Sequence, residues 1–85
     1  MSNAFQTAVR SNVQREKRFE AIDRMAERGQ RRNLGIIVRM GGLDGEYRRR
    51  ALETLGDFGG SGELADIAED TTVDPSLRRR AGELA

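Results

Sequence analysis

The chain has 85 residues and a net charge of +1, with 36% apolar residues and neither cysteine nor histidine. This composition excludes disulfides, thiolate nucleophiles, zinc sites of the usual ligand types and imidazole acid–base chemistry. No apolar run approaches the roughly 20 residues of a membrane-spanning helix. We therefore expect one small domain over residues 1–85, without a cofactor. We expect it to be soluble, in the cytoplasm or within a large intracellular or virion-type assembly.

Helix signals, taken in chain order, predict an all-α fold of about five helices. They lie near residues 4–28, 31–40, 45–58, 62–71 and 75–84. Gly29 and Gly59 stand where a left-handed residue can close a helix. Ser61 is predicted to cap the fourth helix. Asp74 and Pro75 mark the start of the last one, because the carboxylate can cap free N–H groups and proline at the first position loses no hydrogen bond.

Shifting the sequence by thirty residues superposes it on itself without a gap. The matched positions include Ala21, Ala51 and Ala81; Gly29 and Gly59; Leu34 and Leu64; Ile37 and Ile67; and Asp44 and Asp74. Chance rarely matches apolar, glycine and acidic positions together, so the pattern indicates a repeat of two helices per unit. The predicted units span about residues 17–46, 47–76 and, in part, 77–85, after an N-terminal helix extension over 1–16.

This pattern resembles the HEAT-repeat superfamily, in particular the short HEAT-like repeats named after phycobilisome lyases. The residues that carry the resemblance are Ala51, Leu52, Leu55, Gly56, Gly59, Leu64, Ile67, Asp74, Pro75, Leu77, Arg78, Ala81 and Leu84. The resemblance covers about residues 17–85 and implies a short right-handed α–α solenoid of about two and a half repeats. Gly82 departs from it, since the family has a larger apolar residue there. Because such repeats occur in many unrelated proteins, no lyase activity is implied.

One arginine recurs in every unit, as Arg18, Arg48 and Arg78. The resemblance implies that an aspartate at the helix start and an arginine four residues later join neighbouring repeats. Asp44 with Arg48 and Asp74 with Arg78 match those positions. The acid precedes the base at the i, i+4 spacing, which is the favourable order on a helix. We predict a structural role for these four residues.

The other arginines of the "YRRRALETL" and "LRRRAGELA" segments cannot share one helix face, because consecutive residues are about 100° apart. Arg49 is predicted to point away from a buried stripe of Tyr47, Ala51, Leu55 and Phe58. Acidic residues nearby balance most of this charge, as on a solvated face. The alternative is a basic surface, with Arg49 beside Arg79 and Arg50 beside Arg80 in stacked units. That surface comprises Arg10, Arg15, Lys17, Arg31, Arg32, Arg49, Arg50, Arg79 and Arg80.

Four apolar residues are candidates for contact with a protein partner. Ile36 lies in the most hydrophobic stretch, "LGIIVRM", which carries apolar residues on more than one helix face. Leu77, Ala81 and Leu84 lie on the last predicted helix, where no further helix of the pattern covers them. We expect a protein partner or a second copy to cover these residues.

The segments that could be motifs for catalysis or ligand binding do not have the residue spacing that those motifs require. "GGLDG" and "FGGSG" lack the Gly-Lys-Ser/Thr of a phosphate-binding loop and follow no predicted strand. Glu69, Asp70 and Asp74 do not fit an EF-hand calcium loop. We expect no pocket large enough to raise the pKa of a carboxyl group. We therefore expect neither an enzyme, a metal site nor a small-molecule substrate.

Two function hypotheses remain. The first is a non-enzymatic interaction or structural module, acting as an oligomer or as a small subunit of a larger assembly. The second is a nucleic-acid-associated protein that uses the basic N-terminal half, since residues 1–50 carry a net charge of +6 and residues 51–85 a net charge of −5. No aromatic residues interleave with the basic ones and no nucleic-acid motif is recognised, which favours the first hypothesis.

Overall fold

The computed structural model describes residues 3–85, and within that range it contains six α-helices and no strand. The helices are α1 (Ala4–Val9), α2 (Arg15–Glu27), α3 (Arg31–Val38), α4 (Gly45–Asp57), α5 (Ser61–Glu69) and α6 (Pro75–Leu84). The all-α prediction is confirmed. The count is one higher than expected, because the helix predicted over residues 4–28 is divided into α1 and α2.

The division occurs at residues 10–14. Arg10 has an extended conformation, and the following turn contains Ser11 and Asn12, whose side chains compete with helical hydrogen bonds. The turn lets α1 fold back onto α2, which buries Ala4 and Ala8. A continuous helix would leave these two residues in water, so the burial of apolar surface favours the break.

The two predicted helix-closing glycines are confirmed. Gly29 and Gly59 have φ angles of 70° and 77°, the left-handed conformation that glycine adopts without steric cost. After each of them, a backbone N–H reaches back over the last helical turn. Gln30 donates to the Met25 carbonyl at 3.0 Å, and Gly60 donates to the Leu55 carbonyl at 2.8 Å. The same helix-ending geometry therefore recurs after thirty residues.

Helix starts differ from the predicted capping. Asp44 and Asp74 occupy the N-cap positions of α4 and α6, but neither side chain accepts a hydrogen bond from its helix. The Asp74 carboxylate instead accepts a hydrogen bond from Arg48. Ser61 is the first residue of α5, and Gly60 holds the N-cap position. The predicted capping roles of Asp74 and Ser61 are therefore wrong, although the helix boundaries are close to those expected.

The helices pack in a repeating set of contacts. α4 contacts both α2 and α6, and α3 contacts both α4 and α5; α1 packs on α2, and α5 on α6. The largest fully buried side chains are Ile22, Met25, Leu34, Ile37, Val38, Leu52, Leu55, Leu64 and Ile67. The repeated apolar positions thus form one continuous core. None of the helices within residues 3–85 is both long and apolar enough to cross a membrane.

Replacing Gly29 by alanine is expected to lower the free energy of unfolding by about 1–2 kcal/mol, because a Cβ is strained in the left-handed conformation. No other atom lies within 4 Å of the new Cβ, so the loss reports backbone strain alone. Gly82→Ala is the control, since Gly82 is helical and its Cβ would also meet open space. That substitution should stabilise the fold by about 0.5–1 kcal/mol. Urea unfolding measures both, and equal effects of the two variants would contradict the assignment.

Candidate functional site

Arg50 and Arg80 form ion pairs that fix them to the preceding helix of the packing series. Arg50 donates to both carboxylate oxygens of Asp23, with Nε–Oδ1 and Nη2–Oδ2 distances of 2.9 and 2.6 Å. Arg80 does the same with Glu53, at 2.7 Å from Nε and 2.9 Å from Nη2. The hydrogen bond from Arg80 is the main cause of a lowered Glu53 pKa. Each of these guanidinium groups thus has its own carboxylate partner, and the placement of Arg50 beside Arg80 stays a prediction.

Two further residues of the predicted basic surface also have partners. Arg15 Nε lies 2.7 Å from Glu46 Oε1, and Arg31 Nη2 donates to the Phe58 carbonyl at 3.1 Å. The remaining members are exposed and form no ion pair within residues 3–85; they are Arg10, Lys17, Arg32, Arg49 and Arg79. Contacts inside the chain therefore neutralise Arg15, Arg50 and Arg80, which are three of the nine predicted residues.

The recurring arginines do not form i, i+4 ion pairs, although Arg48 links its unit to the next one through Asp74, as predicted. Arg48 Nη1 lies 3.2 Å from Asp74 Oδ2, across the boundary between α4 and α6, rather than pairing with Asp44. Arg78 Nε donates to the Val73 carbonyl at 3.1 Å rather than to Asp74. The i, i+4 ion pairs are therefore absent from the described chain. The side chains instead reach back to the preceding loop or forward to the next unit.

The predicted partner-binding residues divide into buried and exposed ones. Leu77 and Ala81 are only 3% and 0% exposed, because α6 packs against α4 and α5. Leu84 is half-buried and lies against Gly56 of α4. The expectation that the last helix presents an uncovered apolar face is therefore wrong for Leu77 and Ala81. Ile36 is 42% exposed, and its role in binding stays a prediction.

Aromatic rings and guanidinium groups form the contact between α2 and α4. The ring centroids of Phe19 and Tyr47 are 5.2 Å apart. Arg18 lies 3.9 Å above the Tyr47 ring, and Arg15 and Arg50 lie 4.7 and 5.3 Å from the Phe19 ring. Such cation–π contacts are attractive, by about 0.5–1 kcal/mol at exposed sites, and here they join α2 and α4 next to an open part of the surface.

That surface contains a groove of about 470 Å³, which we call the acidic groove. Its lining comprises Asp23, Glu27, Arg50, Glu53, Thr54, Asp57 and Phe58. Asp23 and Glu53 are engaged by arginines, whereas Glu27 and Asp57 are exposed and have no ion pair within residues 3–85. Phe58 was predicted to be buried but is 45% exposed. The groove therefore combines two free carboxylates with an accessible aromatic ring.

The thirty-residue repeat contains evidence for this groove that was not used in the prediction. Glu27 and Asp57 are equivalent positions thirty residues apart, and both are exposed. Phe58 is equivalent to Arg28, which is also exposed, and each residue directly precedes a left-handed glycine. The prediction that Phe58 is buried treated it as a helical residue, whereas α4 ends at Asp57. Comparison of equivalent positions would have predicted the exposed ring.

Arg39 and Asp70 form a second polar cluster that the sequence reasoning missed. Arg39 Nε lies 2.8 Å from Asp70 Oδ2, and its Nη1 lies 3.6 Å from Glu63 Oε2. The Thr72 hydroxyl also donates to Asp70, at 2.6 Å. The Thr72 hydroxyl, followed by Arg39, lowers the pKa of Asp70 from 3.8 to about 2. Because its pKa is lowered, the Asp70 carboxylate stays charged near neutral pH, which suits a structural ion pair better than proton transfer.

The comparisons with known proteins add no relative to this description. No protein-family model, curated protein or solved structure matches the chain significantly. Within residues 3–85, no three acidic side chains come together as a cluster that could hold a metal ion.

Asp70→Asn is expected to flatten the acid limb of the stability profile. A carboxyl group with a lowered pKa stabilises the folded state above its ordinary pKa of 3.8, and this contribution is lost as the pH falls towards about 2. The midpoint of thermal unfolding, measured from pH 5 to 2, should therefore fall more steeply for the unmodified chain than for the variant. Glu69→Gln removes an adjacent exposed charge as the control. Parallel profiles for the unmodified chain and Asp70→Asn would contradict the assigned cluster.

Proposed function

We propose that this chain is a non-enzymatic protein-interaction module, and that a basic segment of its partner docks in the acidic groove. The observation that carries the proposal is the combination of two free carboxylates, Glu27 and Asp57, with the exposed Phe58 ring in one groove. A lysine or arginine side chain placed there gains charge attraction from the carboxylates. It also gains a cation–π contact from the ring.

We further propose that the module is a short HEAT-like solenoid. The serial contacts of α2, α4 and α6, beside those of α3 and α5, support a stacked array. Ion pairs between side chains 24 to 31 residues apart in the chain also support it. In a solenoid, each unit contacts only its neighbours, and the helix rows present extended surfaces that suit binding to another chain. The acidic groove lies on such a surface, between two helices of one row.

A protein partner is favoured over nucleic acid by the way the arginines are used. Arg50 and Arg80 make bidentate contacts with carboxylates, and displacing these contacts would cost two hydrogen bonds each. The groove itself has an excess of negative charge, which repels phosphate. A basic protein segment does not need to displace these arginine–carboxylate contacts, and the negative charge of the groove attracts it.

The proposal predicts binding of a labelled peptide in which arginine alternates with alanine, measured by fluorescence anisotropy at low salt. Glu27→Gln combined with Asp57→Asn should weaken binding about tenfold or more, equivalent to about 1.4 kcal/mol. The matched control is Asp66→Asn with Glu69→Gln, which removes two exposed carboxylates from α5 and should leave the affinity unchanged.

Equal affinity for the groove variant and the control variant would contradict the acidic groove as the docking site. A peptide with glutamate in place of arginine should not bind. A single-stranded oligonucleotide tests the alternative. If it binds more tightly than the arginine peptide, and if its affinity falls steeply with salt, the nucleic-acid hypothesis replaces the present one.

A further inference from the structure

We infer that the basic segment entering the acidic groove belongs to a second copy of this chain. The segment is the exposed row Lys17, Arg24 and Arg28, which we call the basic row. The inference rests on the proposed function, since it names the partner of the same groove. Its outcome is head-to-tail association of identical chains.

The basic row is a straight line of cations along α2. Arg24 follows Lys17 by seven residues on α2, so the two lie within about 20° of each other around the helix, and Arg28 follows directly after Glu27, the last residue of α2. From Lys17 to Arg28 the row spans roughly 16 Å. All three side chains are exposed, and none forms an ion pair within residues 3–85. The row is therefore a free cationic edge of fixed spacing.

The row lies beside the groove of its own chain. Phe19 and Asp23, which contact or pair with residues of α4, lie about 200° and 240° around α2 from Lys17. Glu27 of the groove lies about 280° from Lys17 and so about 60° from Arg24. No ion pair within residues 3–85 joins the row to the groove, so both surfaces are available to a second chain.

Charge complementarity favours a second copy as the occupant. The groove carries four carboxylates and one arginine among its lining residues, and two of the carboxylates, on Glu27 and Asp57, lack a partner. The basic row supplies three cations, and Phe58 adds an aromatic face for one of them. Helices hold the backbone beneath both surfaces, so association has to order side chains only.

This association is heterologous, because the groove of one copy meets the row of the next. After a first contact, one chain of the pair still has a free row and the other still has a free groove. Such contacts propagate into rings or open chains rather than stopping at a two-fold dimer. The attraction is between exposed charges, so salt weakens it.

Sedimentation velocity on nuclease-treated protein tests the inference. At low salt the unmodified chain should exceed its monomer mass of 9.5 kDa increasingly as concentration rises, and high salt should return it to that mass. Reversing the groove with Glu27→Lys and Asp57→Lys should abolish association. Reversing the row with Lys17→Glu, Arg24→Glu and Arg28→Glu should abolish it as well.

An equimolar mixture of the groove-reversed and row-reversed chains is the decisive sample. Each variant alone carries like charges on both surfaces, whereas the mixture pairs a basic groove with an acidic row and an acidic groove with a basic row. Association should therefore return, which also shows that both variants are folded. Asp66→Lys with Glu69→Lys is the control, and it should associate as the unmodified chain does.

If reversed chains fail to fold, Glu27→Gln with Asp57→Asn replaces the groove variant and should weaken association about tenfold or more. The inference is overturned if the unmodified chain stays at monomer mass at every concentration. It is also overturned if association survives row reversal. If the arginine peptide still binds the groove in either case, the proposed function stands and only the second copy is excluded. If the peptide also fails to bind, both are excluded.

Discussion

The buried guanidinium of Arg18 makes the contacts on which the arrangement of α1, α2 and α4 depends. Its side chain is only 7% exposed, its Nε donates to the Ala8 carbonyl at 2.9 Å, and its face covers the Tyr47 ring. A buried cation is costly unless it is hydrogen-bonded. Here it meets a carbonyl at the C-terminal end of α1, where the helix carries partial negative charge, and an electron-rich ring on α4. α1 has only six residues and is too short to be stable alone, so this contact and the burial of Ala4 and Ala8 hold it on α2.

A second constraint follows from the thirty-residue period. An acid and an arginine that recur together, Asp23 with Arg50 and Glu53 with Arg80, bind successive helices to one another. These pairs are between one third and one half exposed, so each contributes little to stability by itself. Their main effect is on where charge remains free. They remove two arginines from the basic surface, and they leave Glu27 and Asp57 as the carboxylates of the acidic groove without an ion pair within residues 3–85.

The sequence was sufficient to predict what depends on one helix at a time. The helix-closing role of Gly59 follows from a left-handed position, and the burial of Leu55 follows from its place on the apolar stripe. The break before α2 and the partners of Arg48 and Arg50 could not be predicted in this way. They depend on which helices become neighbours, and a pattern along one helix does not contain that information. The repeat does contain part of it, since residues that recur together at the period are candidates to meet across the boundary between units.

Helix α6 differs from α2 and α4 at one repeated position, and the difference limits the apolar surface of this helix. Ile22 and Leu52 are fully buried at equivalent positions of α2 and α4, and the third equivalent is Gly82. Gly82 is exposed with open space beside it, so α6 lacks an apolar side chain where its predecessors place one in the core. A large residue there would extend an apolar patch into water, and such patches promote non-specific contacts. Because Gly82 adds no apolar side chain to α6, the proposed contact between chains relies on the charges of the acidic groove and the basic row and on the exposed ring of Phe58.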